Sequence, residues 1–154
     1  MHASAIRQGL QSLLRGLTLQ QVEQLAQALV GQKTAAGHAL IDEGDRPRGL
    51  MFLLQGSVEI FKHGPDGQRQ SLAKVDAPTL LGEMSLITDR PSSATVIALS
   101  DCELQLLTKA QFQRLIASDN IAAYKLVVIV AGVLAERLAK LDRQILELTG
   151  HWNL

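Results

Sequence analysis

The chain has 154 residues, 47% of them apolar and 19% charged, enough to bury a core without disulfides or metal and too apolar for a disordered chain. Fifteen basic residues balance fifteen acidic ones, which gives no support to a polyanion-seeking surface of the kind that binds nucleic acid nonspecifically. The longest uncharged apolar run, residues 126–135, has ten residues, well short of the roughly 20 a spanning helix needs.

Cys102 is the single cysteine, so no disulfide can form within the chain and a reducing, cytoplasmic setting is expected. Arg7 and Arg15 precede the first acid, Glu23, but no signal-type apolar core or cleavage site accompanies them.

Residues 4–17 set Ile6, Leu10, Leu13, Leu14 and Leu17 at helical spacing opposite Arg7, Gln8, Gln11 and Arg15, predicting an amphipathic helix. Gly16 weakens its continuation. Thr18 with Gln21 forms a capping-box signature ahead of a second helix through Val22, Leu25, Ala26 and Leu29, stopping near Gly31. Residues 1–33 are thus expected to be N-terminal helices.

From Thr34 the pattern changes to short apolar runs between glycine-rich turns. Strands are predicted over 38–41, 49–54, 57–62, 69–75, 94–99 and 102–107, with turns at Gly44-Asp45, Gln55-Gly56 and Gly64-Pro65-Asp66-Gly67. This grammar describes an antiparallel sandwich or barrel over residues 34–107.

Within it, residues 82–96 read GEMSLITDRPSSATV. Gly82 lets backbone approach a ligand closely, Glu83 offers a carboxylate, and Met84 to Ile87 can form one helical turn whose free N–H groups favour negative charge. The stretch suits a sugar-phosphate. Without any ligand, Glu83 would cap the turn, and Ser93 and Thr95 would serve turn and strand.

Thr108 with Gln111 marks another helix start, and Ser118-Asp119-Asn120 interrupts before a long helix; residues 108–154 are expected to be C-terminal helices. Along the long one, Tyr124, Val127, Ala131, Leu134, Leu138, Leu141, Ile145 and Leu148 alternate steps of three and four, a coiled-coil seam calling for a partner helix. With Leu134 and Leu141 at d, Arg137 falls at g and Asp142 at the e that would pair with it across a parallel homodimer. The other expectation for this stripe is packing on the chain's own roll.

His2, His38, His63 and His151 match no zinc spacing, so no metal is expected. No nucleophile elbow, P-loop or dinucleotide fingerprint occurs, and Glu83 alone is no acid/base pair. No catalytic residue can be named.

The 82–96 segment resembles the phosphate-binding cassette of the cyclic nucleotide-binding domain family, matching at Gly82, Glu83, Met84, Ser85, Leu86, Ile87, Pro91, Ser93, Ala94, Thr95 and Val96. Residues 40–62, LIDEGDRPRGLMFLLQGSVEIFK, resemble the family's front block. With the flanking helices the likeness covers about residues 17–145. It implies a mainly β fold, a double-stranded β-helix or jelly-roll with N-terminal helices and a long C-terminal helix. It also implies that Glu83 takes a ribose hydroxyl while Met84, Ser85, Ser92 and Ser93, with Thr95, stand around the phosphate of cAMP or cGMP. Where the family has its phosphate-pairing arginine, this chain has Ser92; Arg90 is the surrogate at hand.

The expected function is a non-enzymatic regulatory sensor with no cofactor, homodimeric through the seam and acting through a partner protein. Because no DNA-reading helix-turn-helix follows the long helix, no direct DNA binding is expected. The alternatives are an interaction scaffold that no longer binds nucleotide and, in another class, a small hydrolase or isomerase using Glu83.

Overall fold

The computed structural model describes residues 1–150; His151 lies outside them. Two helices, α1 (Ala3–Leu13) and α2 (Leu19–Ala28), lead into eight strands and two further helices. The first helix ends sooner than its apolar stripe, at Leu13, with Gly16 in a positive-φ conformation. Thr18 and Gln21 close the expected reciprocal capping box at the start of α2. Thr108 accepts from the Gln111 N–H at the start of α3 (Lys109–Ala117), and Asn120 accepts from the Ala122 and Ala123 N–H groups to begin α4 (Ile121–Thr149).

The strands are β1 (Val30–Thr34), β2 (Ala39–Ile41), β3 (Gly49–Gln55), β4 (Ser57–His63), β5 (Arg69–Asp76), β6 (Thr79–Leu81), β7 (Thr95–Ala98) and β8 (Cys102–Thr108). They form two four-stranded antiparallel sheets, ordered β1-β8-β3-β6 and β2-β7-β4-β5. The mainly β roll with helices at both ends is therefore as expected.

Two strands escape the sequence pattern. The stretch before Thr34 is β1 rather than a helix stop and a loop: it carries Gly31, Gln32 and Lys33, and its pairing comes from the β8 ladder rather than from burial of its own side chains. β6 is only three residues long and follows Pro78, yet Leu80 and Leu81 are buried.

Strand β3 lies between two apolar layers. Leu50 and Phe52 face the helices, packing with Leu10, Leu25 and Leu126, while Met51 and Leu53, with Leu104 of neighbouring β8, face Val58 and Val96 of the opposite sheet. Burial on both faces explains why the run GLMFLL does not alternate in polarity.

The first half of α4 is held to this body. Ala122, Ala123, Leu126 and Val130 are buried in the helix-side core, and Lys125 Nζ donates to the Gly16 carbonyl and to Gln21. From Ala135 to Gly150 every residue of the chain is exposed. The helix thus leaves the roll beside the segment that carries the candidate site.

Candidate functional site

The cassette-like segment begins at the end of β6. Gly82 adopts φ 69°, and a Cβ there would lie 2.9 Å from the Gly49 carbonyl oxygen, so the left-handed backbone and the close neighbour both call for glycine. Glu83–Leu86 then forms one 3-10 turn, a residue earlier than the expected helical turn. The Ser85 N–H donates to the Gly82 carbonyl at 3.0 Å, and the Ser85 hydroxyl donates to the same oxygen. Among the described residues this leaves the Glu83 and Met84 N–H groups without a protein acceptor.

The far end of the segment is pinned by the Gly44-Asp45 turn. The Gly44 N–H donates to the Ser92 carbonyl at 2.9 Å, and the Ser92 N–H donates to the Asp45 carbonyl at 2.7 Å. The Ser92 hydroxyl is itself engaged, donating to the Ala94 carbonyl at 2.6 Å. Ser93 is exposed, with no hydrogen bond of its hydroxyl among the described residues.

These pieces surround a cavity of about 390 Å³, within the range of about 300–1,000 Å³ usual for small-molecule clefts. Ile41, Leu81 and Val96 form apolar lining, Ile60 and Leu72 come from the β4–β5 hairpin, and the cassette supplies Gly82, Glu83, Met84, Ser85, Arg90, Ser92 and Ser93. The structure thus gathers six of the seven predicted ligand positions together with the surrogate Arg90, whose guanidinium has no partner among the described residues.

Thr95 does not line this cavity. It is buried, and its hydroxyl accepts the Glu43 N–H at 3.0 Å, so it anchors the 42–45 turn that in turn holds Ser92.

The sequence reading missed Arg137. Its Nη1 forms an ion pair with Glu83 Oε1, and it lines the cavity from α4. Glu83 is only 3% exposed whereas Arg137 is half exposed; burial pushes the guanidinium below its usual value, from so high a start that it remains a cation. Arg137, expected at a g position facing Asp142 across a dimer, is in this chain engaged through Nη1 by Glu83. A signal was present: Leu126, Val130 and Val133 define the inward face of α4, and the next step along that face lands on Arg137.

The remaining seam residues are placed otherwise. Val127, Ala131, Leu138, Leu141 and Ile145 are exposed, and Leu134 packs partly on the helix-side core. The outer half of the stripe is free of the roll, so the expectation of self-packing holds for Leu134 only.

In a smaller neighbouring cavity that shares Ser85 and Arg90 with the first, Lys109 pairs with Asp89. That hydrogen bond, with the charge of Lys109 and more weakly of Arg46, holds the Asp89 carboxyl below its usual value. Among the described residues no cluster of three metal-ligating side chains occurs, and no helix is long and apolar enough to cross a membrane.

Comparison with known proteins gives consistent findings. The family model of the cyclic nucleotide-binding domain matches residues 32–119. The chain is 36% identical over 104 residues to the cAMP-dependent protein kinase regulatory subunit of Neurospora crassa, covering 68% of this chain and 26% of that one. It is 29% identical over 133 residues to the cyclic AMP receptor protein of Thermus thermophilus, covering 86% of this chain and 60% of the relative. A solved cyclic nucleotide-binding domain from Methylobacillus flagellatus superposes with a TM-score of 0.85 at 22% identity, covering 99% of this chain and 88% of that one. The chain thus spans about a quarter of the kinase subunit and about three fifths of the receptor protein.

Proposed function

The chain belongs to the cyclic nucleotide-binding domain family, and from that premise we propose that it is a non-catalytic regulatory module binding a purine cyclic nucleotide, cAMP or cGMP. The observation that carries this is the convergence, on one cavity of about 390 Å³, of buried Glu83, the Gly82 turn with its open Met84 N–H, and an apolar wall. Glu83 Oε1 is paired with Arg137, and its other oxygen accepts the ribose hydroxyl. The Met84 N–H and the Ser93 hydroxyl meet the phosphate, with Ser85 and Ser92 shaping the turn through bonds they already make, and Arg90 stands at the rim as the cassette's own cation. No cofactor or metal takes part.

The response passes through α4. A ligand shifts that helix only by contacting two of its positions differently, and Glu83, shared between ligand and Arg137, is where such a difference arises. The exposed stripe Val127, Ala131, Leu138, Leu141 and Ile145 joins a second copy in a cytoplasmic homodimer, which hands the signal to a partner protein.

Calorimetry with cAMP and cGMP, repeated on Glu83→Ala, tests this reading. Binding that weakens about tenfold to a hundredfold in the variant is expected for loss of one charged hydrogen-bond acceptor; no heat at millimolar ligand in the unaltered protein would remove the proposal. A second reading, a scaffold without nucleotide, draws on Ser92 spending its hydroxyl on Ala94. It predicts no cyclic nucleotide binding and a protein partner on α4.

A further inference from the structure

We propose that Arg137, delivered by α4, is the cation that meets the ligand's phosphate in place of the arginine absent at Ser92. This rests on the cyclic nucleotide reading above and names the residue that sets its preference for an anionic ligand.

The charged residues lining the cavity are Glu83, Arg90 and Arg137. Arg90 is exposed and also lines a second, smaller cavity of about 120 Å³ with Arg46, Asp89 and Lys109, which places it at the outer mouth. Arg137 is also half exposed and lines a neighbouring cavity of about 340 Å³, but its Nη1 reaches inward and is bound to a carboxylate that is 3% exposed. A guanidinium carries five N–H donors in a rigid fork. The contact with Glu83 uses Nη1, and neither Nε nor Nη2 has a partner among the described residues. One carboxylate thus fixes the fork while leaving donors for an anion.

The cassette's neutral donors are depleted by comparison. The Ser92 hydroxyl is spent on the Ala94 carbonyl, and both the hydroxyl and the N–H of Ser85 are spent on the Gly82 carbonyl. Without Arg137 a phosphate in this cavity would be met by the open Glu83 and Met84 N–H groups, the Ser93 hydroxyl and the exposed charge of Arg90. A charge-assisted, bidentate contact is roughly twice as strong as a neutral one, so the residue able to make it decides whether phosphate is favoured over a neutral nucleoside.

Placing that cation on α4 has a consequence for regulation. Affinity for an anionic ligand then depends on α4 holding Arg137 at the cavity, and by reciprocity the anion favours that position of the helix. A neutral nucleoside, which contacts Glu83 through its ribose, lacks this leverage.

The test compares cAMP with adenosine on the full chain and on Arg137→Gln, Arg137→Lys, Ser92→Arg and the double variant Ser92→Arg/Arg137→Gln, with thermal melts to confirm folding. Arg137→Gln removes the charge and Arg137→Lys keeps it without the fork, while adenosine, which meets Glu83 through its ribose, reports any displacement of that carboxylate. Arg137→Gln is expected to weaken cAMP about tenfold or more with adenosine within about twofold, Arg137→Lys to lose less, and the double variant to recover cAMP binding. Equal losses for cAMP and adenosine would reduce Arg137 to a positioning residue for Glu83 and overturn the proposal, as would no loss for cAMP or no recovery in the double variant. If the unaltered chain binds neither ligand but Ser92→Arg binds cAMP, the cavity reading stands and the role of Arg137 falls. If no variant binds cAMP, both fall together.

Discussion

Replacing Ser92 with arginine puts a charge where the cassette has only a hydroxyl. The Ser92 main chain is fixed by its bonds to Gly44 and Asp45, so the substitution changes the side chain and leaves the turn in place. It forfeits the hydroxyl bond to the Ala94 carbonyl at 2.6 Å, about 1 kcal/mol of folding stability. Toward a phosphate, a charge-assisted bond contributes about 1.5–3 kcal/mol against about 1 kcal/mol for a neutral one. The difference, about 0.5–2 kcal/mol, corresponds to a gain in affinity of about two- to thirtyfold. Calorimetry should show that gain for cAMP and none for adenosine, which has no phosphate. An unchanged cAMP affinity in a folded variant, or an equal gain for adenosine, would refute the assignment of this end of the cavity to phosphate.

Three further outcomes follow from the geometry. Gly82→Ala meets both a φ of 69° and a carbonyl oxygen 2.9 Å from the new Cβ, so it should cost about 1–3 kcal/mol in denaturant melts and weaken nucleotide binding; a melt indistinguishable from the parent would contradict the left-handed turn. Leu138→Glu/Leu141→Glu, at positions 61% and 53% exposed, should leave the fold's circular dichroism intact but convert a dimer to a monomer in sedimentation; a parent that sediments as a monomer would sink the dimer. Burial pushes the Cys102 thiol above its usual range, which favours the protonated form in the folded state and depletes the thiolate that reacts. Iodoacetamide at pH 8 should therefore label Cys102 slowly in the native protein and rapidly in denaturant, and equal rates would show the site open.

The strands with their own apolar content were legible because each carries side chains that fit one or two buried faces; β3, with Leu50 and Phe52 on one side and Met51 and Leu53 on the other, is the clearest case. β1 was not, since Gly31, Gln32 and Lys33 carry no burial signal and the strand exists by its ladder with β8. The site divides the same way. Gly82, Glu83 and the serines announce themselves by local chemistry, whereas the hydroxyl of Thr95 is taken by the 42–45 turn, because alternation along a strand does not say which hydroxyl a neighbouring turn will use. Arg137 is more than fifty residues from Glu83 in sequence, and only the docking of α4 brings the two together. The coiled-coil pattern marks only one of two apolar faces of α4, the one exposed at Leu138 and Leu141, while the other packs on the roll through Leu126 and Val130.

The central claim is that a cyclic nucleotide lies over the turn at Glu83, and a crystal structure of the chain grown with excess cAMP tests it most directly. The account predicts the ribose hydroxyl within hydrogen-bond distance of Glu83 and the phosphate beside the Met84 N–H and Ser93. An unfilled cavity in crystals grown at saturating cAMP, or a nucleotide bound elsewhere on the chain, would contradict it.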